Sequence, residues 1–225
     1  MPRGVDLLLS SGFLAFANHV GVLSVLERRG VAIDAVVGTS SGALVGALWA
    51  AGHDADRLEA LVAGRRPFDL MGWHRQPWRG IFSLDPLLTW LRDHLPPTFA
   101  DLDRPFAAGV AGARGAALLT EGPLPKAVAA SCAIPGIFLP VSHGGALWRD
   151  GGTVDRLMVE PWRRWRGDRP AIAHLVDRTG GRDVAFAAEG LTVLRTARSG
   201  ATFWSLGDVR EAVERARRSA EAGLV

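Results

Sequence analysis

The segment Gly38-Thr39-Ser40-Ser41-Gly42 constrains the fold of this chain more than any other feature. It joins an apolar, β-branched run at residues 35–37 to a run of small residues at residues 43–51, which predicts a strand, a sharp turn and a helix. A serine in the pattern G-x-S-x-G at such a junction forms a nucleophile elbow, which holds the hydroxyl clear of the backbone at a helix N-terminus. We therefore predict that Ser40 is a nucleophile.

The two outer glycines of this segment fit the same interpretation. Gly38 and Gly42 leave room around a strained turn that a side chain would crowd. The alternative is an ordinary helix start, with Thr39 or Ser40 as the N-cap and the glycines serving only close packing.

Apolar runs along the rest of the chain predict an α/β fold with a parallel sheet, because strands alternate with helices. The length of 225 residues predicts a single domain over residues 1–225. The predicted strands are residues 5–9, 35–37, 106–110, 116–119, 172–176 and 191–194, and the predicted helices are residues 18–29, 43–51, 55–63, 85–91, 124–131 and a C-terminal one from Asp208.

Charge and cysteine content narrow the class of partner and compartment. The formal net charge is only +3, and no long Lys/Arg run argues for nucleic acid, so at most a mild preference for anionic membrane surfaces is expected. Cys132 is the only cysteine, which excludes an internal disulfide and fits a cytoplasmic location. No apolar stretch has the density of a membrane span, and we predict neither a signal peptide nor a transmembrane helix.

A second group of motifs resembles the patatin-like phospholipase family. It comprises the block A-S-C-A-I-P-G-I-F-L-P at residues 130–140, the sequence Asp150-Gly151-Gly152, and H-V-G-V-L at residues 19–23. In that family the serine of G-x-S-x-G and the aspartate of D-G-[AG] form a dyad without a histidine. The resemblance implies a three-layer α/β/α domain with a mainly parallel central sheet, with Ser40 as nucleophile and Asp150 as base.

The chemistry of the two residue types agrees with this assignment. A serine hydroxyl needs a base within hydrogen-bond reach, and a carboxylate serves if burial raises its pKa. Gly151 and Gly152 permit a tight turn that holds the Asp150 carboxylate against Ser40. Taken alone, Asp150 fits an ordinary Asp-Gly turn residue better than a catalytic base.

The sequence departs from the family in the loop after the first strand. The family usually has S-G-G-G-x-R-G, whereas this chain has S-S-G-F-L-A-F at residues 10–16. Because an oxyanion hole uses backbone N–H groups, the amides of Gly12, Phe13 and Ser41 can still supply it. Phe13, with Leu14 and Phe16, either lines an acyl pocket or packs beneath the loop.

The resemblance implies a serine lipid acyl hydrolase that acts on phospholipids or lysophospholipids, and no metal or cofactor is expected. The altered loop keeps open a weak or inactive module that binds lipid or protein, and a less specific carboxylesterase also remains. A histidine-dependent esterase is a further alternative, since His174 follows Asp150 in the chain order of α/β-hydrolase triads.

Tryptophans beside arginines suggest peripheral contact with a membrane. Trp73, Trp78, Trp162 and Trp165 have rings that suit a water–lipid boundary, and residues 65–80 are a candidate cover over an acyl site. The alternative is that these indoles pack against the body of the protein.

Overall fold

A central sheet runs through the computed structural model, which describes residues 4–73, 81–177 and 189–224. The strands in chain order are β1 (Val5–Leu9), β2 (Ile33–Thr39), β3 (Gly72–Trp73), β4 (Phe82–Ser83), β5 (Phe106–Gly112), β6 (Gly115–Leu119), β7 (Val141–His143), β8 (Ala146–Asp150), β9 (Ala171–Val176) and β10 (Leu191–Thr196). The helices are α1 (Phe16–Arg28), α2 (Ser41–Ala50), α3 (Ala55–Ala63), α4 (Asp85–His94), α5 (Leu124–Ser131), α6 (Val159–Arg166) and α7 (Val209–Gly223).

The strand order of the sheet is β10-β9-β1-β2-β5-β8-β7, with β6 also paired to β5. Neighbours from β10 to β5 pair in parallel, whereas β6, β8 and β7 pair antiparallel. The prediction of a mainly parallel sheet is therefore confirmed. Because the parallel strands end at the same edge, the loops that follow β1 and β2 meet there.

Alternation along the strands builds a core on each face of the sheet. In β1, Leu7 and Leu9 join the core formed with α1, α2, α5 and α7, whereas Leu8 joins the core formed with α6. Residues of α3 and α4 extend the first core, and residues of β6 pack against the second. Helices thus cover both faces, which confirms the three-layer α/β/α arrangement.

Strands β3, β4, β7 and β8 and helix α6 were not predicted. Strands β3 and β4 have two residues each, which is too few for a periodic pattern. The β7–β8 hairpin exposes most of its residues, so apolar alternation is missing there. In α6 only Pro161 and Trp162 are buried, and four arginine or glutamate side chains surround them. The extent of the single domain over residues 1–225 stays a prediction.

Candidate active site

Ser40 lies between the last residue of β2 and the first residue of α2. Its backbone has φ 56° and ψ −119°, a region that residues with a side chain rarely adopt. The side chain is half-buried, and it lines a cavity. The predicted strand, sharp turn and helix are therefore all present, and the turn is strained at the serine itself.

The glycines around Ser40 allow backbone segments to approach closely. A Cβ at Gly42 would lie 2.7 Å from the Ser10 carbonyl oxygen, and a Cβ at Gly38 would lie 2.6 Å from the Cα of Ala43. Both distances are below what real Cβ atoms show, so neither site accepts a side chain without a backbone shift. This close approach sets the start of α2 against the end of β1.

Ser131, the last residue of α5, fixes the backbone of the elbow. Its buried hydroxyl accepts a hydrogen bond from the Ser40 amide at 2.9 Å and donates one to the Gly109 carbonyl at 2.6 Å. Sequence reasoning included Ser131 in the 130–140 block but gave it no role. The hydroxyl joins α5, the elbow and β5 at the point where the three meet.

Asp150 ends β8 and faces the elbow. It lies opposite Val110 of β5, and its side chain is buried at 4% exposure. The carboxylate accepts a hydrogen bond from the Gly152 amide at 2.8 Å, and Asp150 and Ser40 line the same cavity. Burial raises the pKa of Asp150 to about 6, whereas the Ser40 hydroxyl and the Gly152 amide act in the opposite direction.

The glycines after Asp150 are as constrained as those of the elbow. A Cβ at Gly151 would lie 2.7 Å from the Gly109 carbonyl oxygen, and a Cβ at Gly152 would collide with the Ser11 side chain. These contacts bring the turn after β8 against both β5 and the loop after β1. The two motifs that are about a hundred residues apart in the sequence thus meet in the fold.

In the loop after β1, the peptide between Gly12 and Phe13 points its carbonyl toward Ser41 and its amide away from Ser41. The Gly12 carbonyl accepts hydrogen bonds from the Ser41 hydroxyl at 2.8 Å and from the Ala15 amide at 3.2 Å. Because a trans peptide points its N–H opposite to its C=O, the Phe13 amide faces away from Ser41 Oγ. Within the described ranges, no residue accepts a hydrogen bond from the Gly12 or Phe13 amide.

Arg156 lies behind this loop, and sequence reasoning missed it. It is 6% exposed, and its guanidinium donates to the Ser11 carbonyl at 2.8 Å and to the Val176 carbonyl. The positive charge therefore links the loop after β1 to the end of β9. A buried arginine has no signature in the sequence before its partners are known.

Two cavities of different polarity meet at Ser40. A larger one of about 440 Å³, with both polar and apolar surface, is lined by Gly12, Phe13, Asp150 and Arg156 among others. An apolar one of about 70 Å³ is lined by Phe13, Leu14, Phe16, Leu44, Leu84, Leu87, Ile134 and Phe138, among others. The three apolar residues of the loop therefore line a pocket beside the serine, as one of the two sequence interpretations had it.

The tryptophans divide between surface and core. Trp73 is 75% exposed, whereas Trp162 is 1% exposed and donates its indole N–H to Asp6 at 2.9 Å. The lipid-boundary interpretation is therefore wrong for Trp162. Trp165 is half-buried, and Trp78 lies outside the described residues.

His174 does not contact Asp150 or Ser40. Its ring nitrogens lie 2.8 Å from His19 Nδ1 and 2.9 Å from Thr196 Oγ1, so the Ser-Asp-His arrangement considered from the sequence is not formed. Within residues 4–73, 81–177 and 189–224, no group of three or more His, Cys, Asp or Glu side chains is placed to hold a metal ion. In the same ranges no helix has the length and apolar character needed to cross a membrane.

Fold and site define an α/β protein with a serine at a nucleophile elbow and a buried carboxylate beside it, which is the architecture of a hydrolase. The sequence profile of the patatin-like phospholipase family matches residues 7–161. The chain belongs to the patatin-like phospholipase family.

Curated relatives from several organisms are similar to this chain, and some of them carry the name NTE family protein. An uncharacterized NTE family protein of Mycobacterium tuberculosis is 34% identical over 164 residues, which make up 71% of this chain and 45% of that protein. A protein of Emericella nidulans named lysophospholipase nte1 is 30% identical over 203 residues, which make up 83% of this chain and 12% of that protein. The chain thus spans less than half the length of either relative.

Solved structures agree on the fold. VipD from Legionella pneumophila matches with a TM-score of 0.64 over 99% of this chain and 67% of that chain, at 13% identity. The type III effector protein ExoU matches with a TM-score of 0.57 over 99% of this chain and 53% of that chain, at 14% identity. At these identities the similarity shows the patatin-like fold alone.

Proposed function

We propose that this chain hydrolyses carboxylic esters of phospholipids or lysophospholipids, with Ser40 as nucleophile and Asp150 as general base. One observation carries the proposal: a strained elbow serine and a buried carboxylate whose pKa is raised to about 6 line the same cavity, and the serine side chain acts on the pKa of that carboxylate. A carboxylate with that pKa is mostly ionised at neutral pH, and it is a stronger base than an ordinary aspartate.

The reaction follows the steps of acyl transfer. Asp150 takes the hydroxyl proton while Ser40 Oγ attacks the ester carbonyl carbon, and the amides of Gly12, Phe13 and Ser41 bind the resulting oxyanion. Collapse of this intermediate expels the alcohol, which takes the proton back from Asp150 and leaves an acyl-serine. Water, deprotonated by Asp150, then releases the fatty acid and restores the serine.

The two cavities at Ser40 support a lipid ester as substrate. The apolar cavity accepts an acyl chain, and the larger cavity, with Arg156 and other polar groups on its wall, accepts the headgroup side of the ester. A volume of about 70 Å³ is well below that of an ordinary ligand pocket, so the apolar cavity has to widen for a long chain. The relative named lysophospholipase supports the same substrate class.

Exposed aromatic side chains near the apolar cavity support contact with a membrane surface. Phe13, Trp73 and Trp204 are 48%, 75% and 68% exposed, and the ring of Phe68 contacts both tryptophans. We expect Trp73→Ala and Trp204→Ala to weaken co-sedimentation with phosphatidylcholine vesicles. Leu147→Ala is the control, because Leu147 is 66% exposed but lies in β8, outside this group of aromatic side chains. Equal loss in all three variants contradicts the proposed surface.

The central experiment tests the dyad directly. Wild type, Ser40→Ala and Asp150→Asn are reacted with a fluorophosphonate probe and with a panel of phospholipid, lysophospholipid and short-chain nitrophenyl esters. We expect labelling and turnover in the wild type and neither in Ser40→Ala, whereas Ser142→Ala, at an exposed serine, retains both. A folded wild type that binds vesicles but is never labelled supports the binding module instead, and turnover of the nitrophenyl esters alone supports the carboxylesterase.

A further inference from the structure

A row of buried polar side chains leads from the end of β10 to the loop after β1. Asn18 Nδ2 donates to Thr196 Oγ1 at 3.0 Å, and Thr196 Oγ1 lies 2.9 Å from His174 Nε2. His174 Nδ1 lies 2.8 Å from His19 Nδ1, and His19 Nε2 lies 3.3 Å from Ser41 Oγ. The members of the row are at most 8% exposed.

The last member of the row bonds to the loop that is proposed to bind the oxyanion. Ser41 Oγ donates to the Gly12 carbonyl at 2.8 Å. The Gly12 carbonyl belongs to the same peptide as the Phe13 amide. Whatever fixes the direction of this carbonyl therefore also fixes the direction of that N–H.

The two imidazoles are neutral because they are buried. Burial lowers the pKa of His19 to about 3, with Arg156 acting in the same direction and the nearby Ser10 carbonyl acting against it. Burial and the neighbouring His19 lower the pKa of His174 well below its usual value. Two neutral rings that meet Nδ1 to Nδ1 share one hydrogen, so one ring carries its proton on Nδ1 and the other carries it on Nε2.

The two ends of the row decide which ring is which. At one end the Asn18 amide donates to both Thr196 Oγ1 and the Ala197 carbonyl, so the Thr196 hydroxyl is free to donate to His174 Nε2. At the other end the Gly12 carbonyl only accepts, so it takes the Ser41 proton, and Ser41 Oγ accepts from His19 Nε2. Both ends are satisfied together when the hydrogen between the rings belongs to His174 Nδ1.

We propose that His19 and His174 are positioning residues that transmit a one-way hydrogen-bond chain from Asn18 to the Gly12 carbonyl and so hold the Phe13 amide toward the ester oxyanion. The inference rests on the proposed function. It accounts for a loop that retains one glycine of the family triplet and has Ala15 where the family has arginine. The row of hydrogen bonds thus fixes the direction of the Gly12–Phe13 peptide from the protein interior.

The first test reads the tautomers in the wild-type protein. Nitrogen NMR of ¹⁵N-histidine protein is expected to show His19 protonated on Nε2 and His174 protonated on Nδ1, both neutral from about pH 5.5 to 8. A charged ring, or the reverse pair of tautomers, overturns the inference. This spectrum needs neither a variant nor turnover, so it is independent of the proposed function.

The second test removes one link far from the ester. Thr196→Val deletes the hydroxyl, Thr196→Ser keeps it, and Thr192→Val makes the same change at an exposed position of the same strand. We expect Thr196→Val to lower kcat by about 10-fold with KM unchanged and to shift the ¹³C resonance of the Gly12 carbonyl, a smaller effect than the 10²–10³ of losing an oxyanion donor outright. Thr196→Ser and Thr192→Val are expected to behave like the wild type.

The outcomes separate the two claims. An active wild type whose Thr196→Val variant keeps both its kcat and its Gly12 resonance overturns the inference but leaves the proposed function intact. A wild type that hydrolyses no ester overturns the proposed function. The tautomers and the Gly12 resonance still decide whether the hydrogen-bond chain orients the Gly12–Phe13 peptide. If Thr196→Val does not fold, the wild-type spectrum decides.

Discussion

Ser40 holds its reactive hydroxyl at the expense of backbone stability. A φ of 56° with a ψ of −119° belongs to a region that glycine adopts readily and that a Cβ makes unfavourable. The Ser131 hydroxyl and the close contacts of Gly42 maintain this conformation. The surrounding structure therefore carries a strain of about 1–3 kcal/mol at a single residue.

Relief of this strain is measurable. We expect the free energy of unfolding of Ser40→Gly to be about 1 kcal/mol higher than that of Ser40→Ala. Glycine relieves the backbone strain, and this gain exceeds the stability lost because an unfolded glycine has more conformational entropy. Urea unfolding of both inactive variants gives the difference. Ser142, exposed in β7, is the control: there glycine is expected to be less stable than alanine. The same order at both positions contradicts a strained elbow.

The charge of Asp150 opposes folding. Its pKa is raised from 3.8 to about 6, so between these values the folded state holds more protons than the unfolded state, and stability falls as pH rises. Two pKa units correspond to a loss of about 3 kcal/mol in the free energy of unfolding. This loss is complete above pH 6 and absent below about pH 4. We expect Asp150→Asn to raise the free energy of unfolding by up to about 3 kcal/mol at pH 8 and to abolish turnover. The exposed Asp93→Asn is expected to change neither.

The same pKa predicts the pH dependence of the reaction. Because the base must be ionised, kcat/KM is expected to fall about tenfold per pH unit below a midpoint near 6. A pH–rate profile with a water-soluble ester measures this midpoint without interference from lipid packing. A midpoint near 4, the value of an unperturbed carboxylate, contradicts a buried base.

The contact between α2 and β1 sets the position of the elbow. Because a Cβ at Gly42 would lie 2.7 Å from the Ser10 carbonyl oxygen, we expect Gly42→Ala to lower the free energy of unfolding by about 3 kcal/mol. It also displaces Ser41, so fluorophosphonate labelling is expected to slow. Gly200→Ala is the control, since a Cβ there meets no atom within 4 Å. Equal stability of the two variants contradicts the close approach.

Sequence reasoning succeeds for elements whose pattern is local. Apolar runs predicted β1, β2 and the helices that pack on the first core. The pairing of Ser40 with Asp150, which the motif resemblance implies, stays a proposal. The charged helix α6 and the exposed β7–β8 hairpin have too little apolar periodicity to be read.

The missed parts of the site depend on strand order. His19 in α1 meets His174 in β9 because β9 lies beside β1. Arg156, which precedes α6 in the chain, contacts both Ser11 after β1 and Val176 at the end of β9. No local pattern states which parallel strands become neighbours. Residues whose partners lie across such a junction are therefore found only in the fold.

At the scale of the whole molecule, one buried carboxylate attaches α6, the helix on the second face of the sheet, to β1. Asp6 of β1 is fully buried and accepts hydrogen bonds from Trp162 Nε1 and Arg166 Nε of α6, each at 2.9 Å. The Asp6 carboxylate raises the pKa of Arg166 in turn. Asp6 lies at the opposite end of β1 from the loop that contains Gly12, so the attachment is remote from the proposed chemistry.

This separation predicts a variant that loses stability without losing activity. We expect Asp6→Ala to lower the free energy of unfolding by about 3 kcal/mol, because it leaves Trp162 and Arg166 without their buried acceptor. Asp168→Ala is the matched control: its ion pair with Arg163 spans 3.4 Å but its side chain is 95% exposed, so the loss is expected to stay below about 1 kcal/mol. Urea unfolding measures both, and kcat is measured well below the melting temperature. The loop after β1 is fixed by Ser41 and Arg156, so kcat of folded Asp6→Ala is expected to match that of the wild type. A loss of kcat as large as that of an oxyanion-loop variant contradicts this expectation and shows that the two ends of β1 are coupled.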